Sequence, residues 1–368
     1  MNTQSDQHQN PHISRDADDV ISNLGLKVER FSGRSILLTG AAGFLGSQFV
    51  HFFAKLNDTG RLAKPCKLIA LDNYIRGLPD WLNGFTSRSD IIIQKADIIT
   101  ERNFADADFV IHAASIASPI FYRQYPIETM DANVIGLRNL LEHSRKHKPE
   151  SFLFFSSSEI YGDPDPANIP TREDFRGFVS CTGPRACYDE SKRFGETLCV
   201  NFHQIYNLPI KVVRPFNNYG PGLSMTDRRV LPDFFRDTLA MKDIILLSDG
   251  RSTRTFCYIS DAITGYILAL LSNHEGQVFN IGTDSPEISM EDLANLVIET
   301  SGFDLLVKKE ISSDPAYLSD NPLRRCPDLT KSRALLDYSA KVSLKTGLSR
   351  MLSYYKDELT QLRRGDLS

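Results

Sequence analysis

Residues 35–47 read SILLTGAAGFLGS. Ile36, Leu37 and Leu38 form an apolar run of the length of a buried strand. Gly40, Gly43 and Gly46 follow at G-x-x-G-x-x-G spacing, and after them comes FVHFFAKL, a helix-like run without Gly or Pro. Strand, glycine turn and helix in that order are what a dinucleotide site needs. Glycines let the backbone turn sharply and approach a pyrophosphate, and the helix N-terminus offers it free N–H groups. An acidic residue belongs at the end of the next strand, where a carboxylate bonds the adenosine ribose. KLIALD supplies Asp72 there, 26 residues past Gly46. The plain alternative is an ordinary βαβ unit with Asp72 as a solvated strand end.

Outward from this unit, strand and helix patterns alternate. IIIQKADI (91–98), FVIHAAS (109–115), SFLFFSSSEIYG (151–162) and IKVVRP (210–215) read as strands. Residues 127–147 have helical spacing (Val134, Leu137, Leu140, Leu141), and 185–206 read as a long helix. Such alternation implies an α/β fold, a Rossmann-type doubly wound parallel sheet covered on both faces. Beyond residue 215 loops lengthen and proline recurs. Short strands (244–247, 255–258, 277–281, 304–308) mix there with helices (231–240, 260–272, 289–301, 345–357). This predicts a smaller C-terminal α+β part, with the substrate site between the parts at the carboxyl ends of the strands. The expected organisation is an N-terminal extension (1–31), a dinucleotide-binding domain (32–215) and a mainly substrate-binding part (216–368), with some segments returning to the first domain. Within the extension, 1–15 are expected to be disordered and 16–30 to form a short helix.

The chain has 368 residues, a net charge of −4 and 41% hydrophobic residues, enough for a sizeable core. That charge balance offers no basic face to nucleic acid. No apolar run reaches the roughly 18 residues that span a bilayer. The first 30 residues are polar, without the apolar core of a secretory leader, so a cytoplasmic location is expected. Six cysteines are scattered without a C-x-x-C pair and are read as reduced thiols, Cys187 as a packing residue. No histidine cluster suggests a metal, and none is expected.

Tyr188 and Lys192 stand at Y-x-x-x-K spacing in the 185–206 helix. An i, i+4 pair shares one helix face. An ammonium beside a phenol favours the phenolate, which would lower the tyrosine pKa from about 10. Such a tyrosine can take the proton of a sugar hydroxyl while hydride leaves the same carbon. SSSE (156–159) ends the preceding strand and supplies hydroxyls and a carboxylate. Taken singly, these signals also fit a surface pair and a polar turn; together with the glycine turn they point to one redox site.

TGAAGFLG, the strand-end Asp72, SSSE, Tyr-x-x-x-Lys and RPFNNYGP together resemble the extended short-chain dehydrogenase/reductase family, also described as NAD-dependent epimerases/dehydratases, over about residues 33–360. Within it, SSSEIYGDP (156–164), GPRACYDESKR (183–193), ASPIFYRQYP (117–126), TRTFCYISD (253–261) and RRCPDLTKS (324–332) resemble the UDP-glucuronate decarboxylases. Simple 4-epimerases do not usually carry Glu at 159, and 4,6-dehydratases usually have Asp-Glu where this chain has Ser158-Glu159. Ser157 replaces the usual Thr of the decarboxylases and keeps its hydroxyl. Gly222 stands where they usually have Arg.

The resemblance implies NAD as cofactor. Gly40, Gly43 and Gly46, with Phe44 and Leu45, would meet its pyrophosphate. Asp72 and Asn73 would meet the adenosine ribose, Asp97 and Ile98 the adenine. Ala113, Ala114 and Ser115 would line the cleft, and Tyr188 and Lys192 would reach the nicotinamide ribose. The substrate implied is a nucleotide sugar, a UDP-sugar in the decarboxylases. Ser118, Pro119, Tyr122, Ser158, Arg185, Asn217 and Arg229 are its expected contacts. Ser157 would bond the sugar 4-oxygen; Glu159 and Arg254 would attend the sugar carboxylate and the proton that replaces it. The activity implied is oxidation at C4, loss of CO₂ and re-reduction, converting UDP-glucuronate to UDP-xylose. Alternatives are a 4,6-dehydratase or an epimerase, and more distantly a non-catalytic NAD-binding regulator, although such proteins tend to lose the Tyr-Lys pair. The two long helices carry more apolar positions than one sheet face needs, and in the family resembled such helices pair in a homodimer.

Overall fold

Seven apolar runs pair into one parallel sheet in the computed structural model, which describes residues 10–310, 312 and 322–365. The strands are β1 (Ser35–Thr39), β2 (Lys67–Asp72), β3 (Ile91–Lys95), β4 (Phe109–His112), β5 (Ser151–Phe155), β6 (Ile210–Pro215) and β7 (Val278–Ile281). Their order is β7-β6-β5-β4-β1-β2-β3, with every neighbour parallel. The chain winds outward from β1 to β3, then returns to pair β4 on the other side of β1. The crevice at this reversal is where doubly wound sheets bind ligands. β4 and β5 are buried along their whole length because helices cover both faces. Three strands stop short of their predicted ends, at Lys95, His112 and Phe155. The polar and small residues that follow turn out of the sheet into the crevice.

The covering helices include α1 (Pro11–Leu24), α2 (Phe44–Asp58), α3 (Leu137–His147), α4 (Ala186–Tyr206), α5 (Ile259–Leu271) and α6 (Leu344–Gly365). α3 is entered through Pro126–Asp131 and a π turn at Ala132–Gly136, so the predicted 127–147 helix is present but underwound where the π turn interrupts it. The expectation of disorder over 1–15 fails from residue 10 onward; residues 1–9 lie outside the described residues. Asn10 caps α1 by accepting from the His12 N–H at 3.0 Å, and Pro11 opens the helix. Ile13, Ala17, Val20, Ile21 and Leu24 then bury one stripe against α2 and α5.

After β6 the chain makes small sheets. Asn218–Tyr219 pairs Cys257–Tyr258, and Ile244–Leu246 pairs Val307–Lys309. Thr253–Arg254 lies between Ile288–Ser289 and Arg324–Arg325. The predicted 255–258 strand is therefore two short ones. α5 and β7 return to the main sheet. All six cysteines are free. Among the described residues no helix is long and apolar enough to cross a membrane.

Candidate active site

Gly40 has φ +78°, and a Cβ there would lie 2.6 Å from the Ala114 backbone. At Gly46 a Cβ would sit 1.9 Å from the Gly40 carbonyl oxygen. These two glycines let β1, the chain leaving β4 and the first turn of α2 close on one another. Gly43 is the N-cap of α2 and has no capping side chain, so the first N–H groups remain for an anion. Asp72 is aimed by backbone bonds: its Oδ2 accepts from Ala42 at 2.9 Å and its Oδ1 from Tyr74 at 2.8 Å. Burial nevertheless pushes its carboxyl upward. Asp97 accepts from the Ile99 N–H at 2.9 Å, with Asn73 Nδ2 3.4 Å away. The Ser115 hydroxyl is buried without a partner among the described residues. A glycine cradle, an uncapped helix start, a fixed acid and an orphan hydroxyl fit a dinucleotide.

One cleft of about 2230 Å³ runs from this cradle across the carboxyl ends of the strands. Every residue expected to touch cofactor or substrate lines it, Gly40 and Asp72 at one end, Glu159, Arg185 and Arg254 at the other. Its size exceeds that of an ordinary single-ligand pocket.

Tyr188 is buried and stacked on Tyr122 with ring centroids 5.2 Å apart, and Ser157 lines the same cleft. The expected lowering of the phenol by Lys192 is absent. Burial pushes Tyr188 up to about 12, against the opposing pull of Ser157. Burial also draws Lys192 down to about 7, and its Nζ donates to the Phe155 carbonyl at 2.7 Å instead of to Tyr188. Loss of water around both groups outweighs their mutual attraction.

Glu159 and Arg254, expected together at the sugar carboxylate, line the same stretch of the cleft. The Glu159 carboxylate is clasped by Arg185 and by Arg325, whose Nη2 lies 2.7 Å from Oε2. Burial alone would raise this carboxyl; the two guanidiniums win and hold it well below the usual range. Arg254 donates to the Thr253 and Leu323 carbonyls at 2.7 and 3.2 Å. Burial, then the repulsion of Arg325, brings it down to about 9. Three guanidiniums thus face one carboxylate on the cleft wall, and Asp189, behind it, lies 3.6 Å from Arg185 Nε. Arg325 was missed from sequence. It lies within RRCPDLTKS, but only the pairing of Arg324–Arg325 with Thr253–Arg254 brings it beside Arg254.

Nearer the cradle, Arg229 and Arg76 both hold the buried Asp227, and Ser118 donates to the Asp227 carbonyl at 3.0 Å. Asn217, at φ +37°, spends its Nδ2 on the Thr255 carbonyl at 2.9 Å.

The model of the family described as "NAD dependent epimerase/dehydratase family" matches residues 36–282. The chain belongs to the NAD dependent epimerase/dehydratase family. It is an enzyme of that family, and its cofactor is NAD. Among family members, UDP-glucuronic acid decarboxylase 6 of Arabidopsis thaliana is 35% identical over 320 residues, 87% of this chain and 88% of that protein. UDP-glucuronic acid decarboxylase 1 of Xenopus tropicalis is 32% identical over 89% of this chain and 73% of its own. Of solved structures, UDP-glucuronic acid 4-epimerase from Bacillus cereus, in complex with UDP-glucuronic acid and NAD, superposes with a TM-score of 0.74. It is 27% identical and covers 88% of this chain and 99% of its own.

Proposed function

We propose that this family member decarboxylates UDP-glucuronate to UDP-xylose. The observation that carries the reading is the cation-rich wall of Arg185, Arg254 and Arg325 around the Glu159 carboxylate, in the cleft that Tyr188 and Ser157 also line. A neutral sugar has no use for surplus guanidinium charge; a uronate carboxylate does. Relatives named UDP-glucuronic acid decarboxylase support the substrate.

Bound NAD⁺ supplies the hydride acceptor, and afterwards the donor, at C4 of the sugar. Tyr188 takes the proton of the 4-hydroxyl, and Ser157 orients both phenol and 4-oxygen. The resulting ketone is β to the C6 carboxylate, so CO₂ leaves with its electrons stored in an enolate. That enolate takes a proton at C5. The arginine wall holds the carboxylate until it departs, and Glu159, kept ionised, spaces Arg185 from Arg325. In this reading Glu159 attends the sugar carboxylate by anchoring the cations that hold it. Arg229, clasped to Asp227, and Arg76 are the cations placed for the diphosphate.

The test is incubation with UDP-glucuronate and a panel of neutral UDP- and dTDP-hexoses, followed by mass spectrometry. Loss of the mass of CO₂ from the uronate supports the reading. Loss of water from a neutral hexose moves it to a dehydratase. A second reading, 4-epimerisation of the uronate, is favoured by the Bacillus cereus likeness; it would leave the mass unchanged and alter the sugar's NMR couplings.

A further inference from the structure

Away from the cleft, Asp106, His143 and His147 bring a carboxylate oxygen and two imidazole nitrogens within 4.8 Å of one another. The two histidines stand at i, i+4 on α3, with ring centroids 4.3 Å apart. Asp106 comes from the loop that enters β4; its Oδ1 lies 2.7 Å from His147 Nδ1 and 3.7 Å from His143 Nε2.

His143 is the telling member. Its side chain is only 7% exposed, and Nε2 has no hydrogen-bond partner among the described residues. The ring hydrogen-bonds the Ala105 backbone, and Phe104 packs edge-on at 5.6 Å. A buried ring nitrogen left unpartnered beside a carboxylate and a second imidazole is placed as a metal-ligating histidine is.

We propose that Asp106, His143 and His147 form a binding site for a divalent transition-metal ion, zinc being the best match. Two imidazoles and a carboxylate are a zinc donor set with a fourth position left for solvent, whereas calcium and magnesium take oxygen ligands. Zinc bonds of about 2.0–2.2 Å place tetrahedral donors roughly 3.4 Å apart. The observed 2.7 and 3.7 Å straddle that separation, and Asp106 is 69% exposed in its loop. The site lies at the amino end of β4, whereas Ala113–Ser115 of the cleft follow its carboxyl end. The metal ties the end of α3 to the β4 loop; it does not enter the chemistry.

Tag-free full-length protein, stripped with EDTA and dialysed, is titrated with Zn²⁺ by calorimetry and with Co²⁺ by visible absorption. The expected result is one Zn²⁺ per chain, undisturbed by excess Mg²⁺, with cobalt bands of a four-coordinate nitrogen/oxygen site. Asp106→Asn and His147→Ala each weaken binding at least about tenfold, and the rise in unfolding temperature on adding Zn²⁺ disappears in both. His274→Ala, elsewhere on the surface, binds as wild type does. His143→Gln also loses the ion; should it fail to fold, the exposed His147 still decides. No saturable Zn²⁺ binding, or equal binding by wild type and His147→Ala, overturns the site.

Discussion

At the scale of single residues, Glu159 and Arg325 distinguish this cleft from a plain redox site. Because Arg185 and Arg325 keep the Glu159 carboxyl well below its ordinary 4.5, it stays ionised through neutral and mildly acidic pH. In Arg325→Ala one counter-charge goes while burial stays, so the carboxyl pKa rises. The acid limb of kcat/KM for CO₂ release then moves to higher pH, and an unmoved limb in the pH–rate profile would remove Glu159 from the reaction. Glu159→Gln leaves three guanidiniums without their anion and the wall no longer preorganised; CO₂ release slows by at least about a hundredfold, measured by trapping the gas. Cofactor content is unchanged in both, since neither residue lies near the glycine cradle. Tyr188, Lys192 and Glu159 were legible because their spacing is local. Arg325 was not, since its meeting with Arg254 depends on two two-residue strands 71 positions apart in sequence. The inverted Tyr188 and Lys192 shifts were also illegible, because spacing shows the neighbours but not the loss of water.

At the scale of elements, α1 carries its own local signals. Asn10–Pro11 is a readable helix start, and the apolar stripe from Ile13 to Leu24 is a readable face; the polar composition around them hid both. α1 also bears on Gly222, which takes the place of an arginine usual in the decarboxylases. Gly222 has φ +88°, and a Cβ there would meet Gln48 Nε2 at 2.7 Å, with Ile13 of α1 beyond at 3.5 Å. α1 and α2 fill the ground into which a longer side chain would extend. Inside the α1 contact Asp16 is buried, accepting from the Tyr258 hydroxyl at 2.8 and 3.0 Å. Burial lifts its carboxyl from 3.8 to about 6, against Tyr258, Arg15 and Arg350. The folded state therefore binds the proton more tightly than the unfolded chain. The stabilisation from Asp16 is complete below its ordinary pKa and is lost as pH rises through about 6. Relative to Asp16→Asn, wild type should lose on the order of 1–3 kcal/mol between about pH 4 and pH 7, read from urea unfolding at a series of pH values; parallel curves would refute it. Gly46→Ala, whose Cβ would strike the Gly40 carbonyl, should purify with little or no NAD, assayed in the supernatant of denatured protein.

At the scale of the whole molecule, the alternation of strands and helices was enough to read a parallel sheet, since β-branched and aromatic runs buried on both faces have no polar alternation to confuse them. The small sheets after β6 were only half legible, because strands of two or three residues carry no periodicity. The outer helices leave a further sign. Ile127 is 58% exposed, Phe194 49% and Ile135 39%, on helices that pack side by side, Phe194 within α4 and the others on the segment leading into α3. An isolated chain gains nothing from large apolar side chains held in water, whereas a second copy related by a two-fold axis would cover them. A stable interface needs about 800 Å² per partner, which two adjacent helices of this length can supply. The expected outcome is a homodimer at micromolar concentration by light scattering. Phe194→Glu should yield a monomer with unchanged circular dichroism, because the side chain is outside the core. A wild-type monomer would end the idea. A Phe194→Glu dimer would move the interface to another face and leave these helices with exposed apolar residues that dimerisation does not explain.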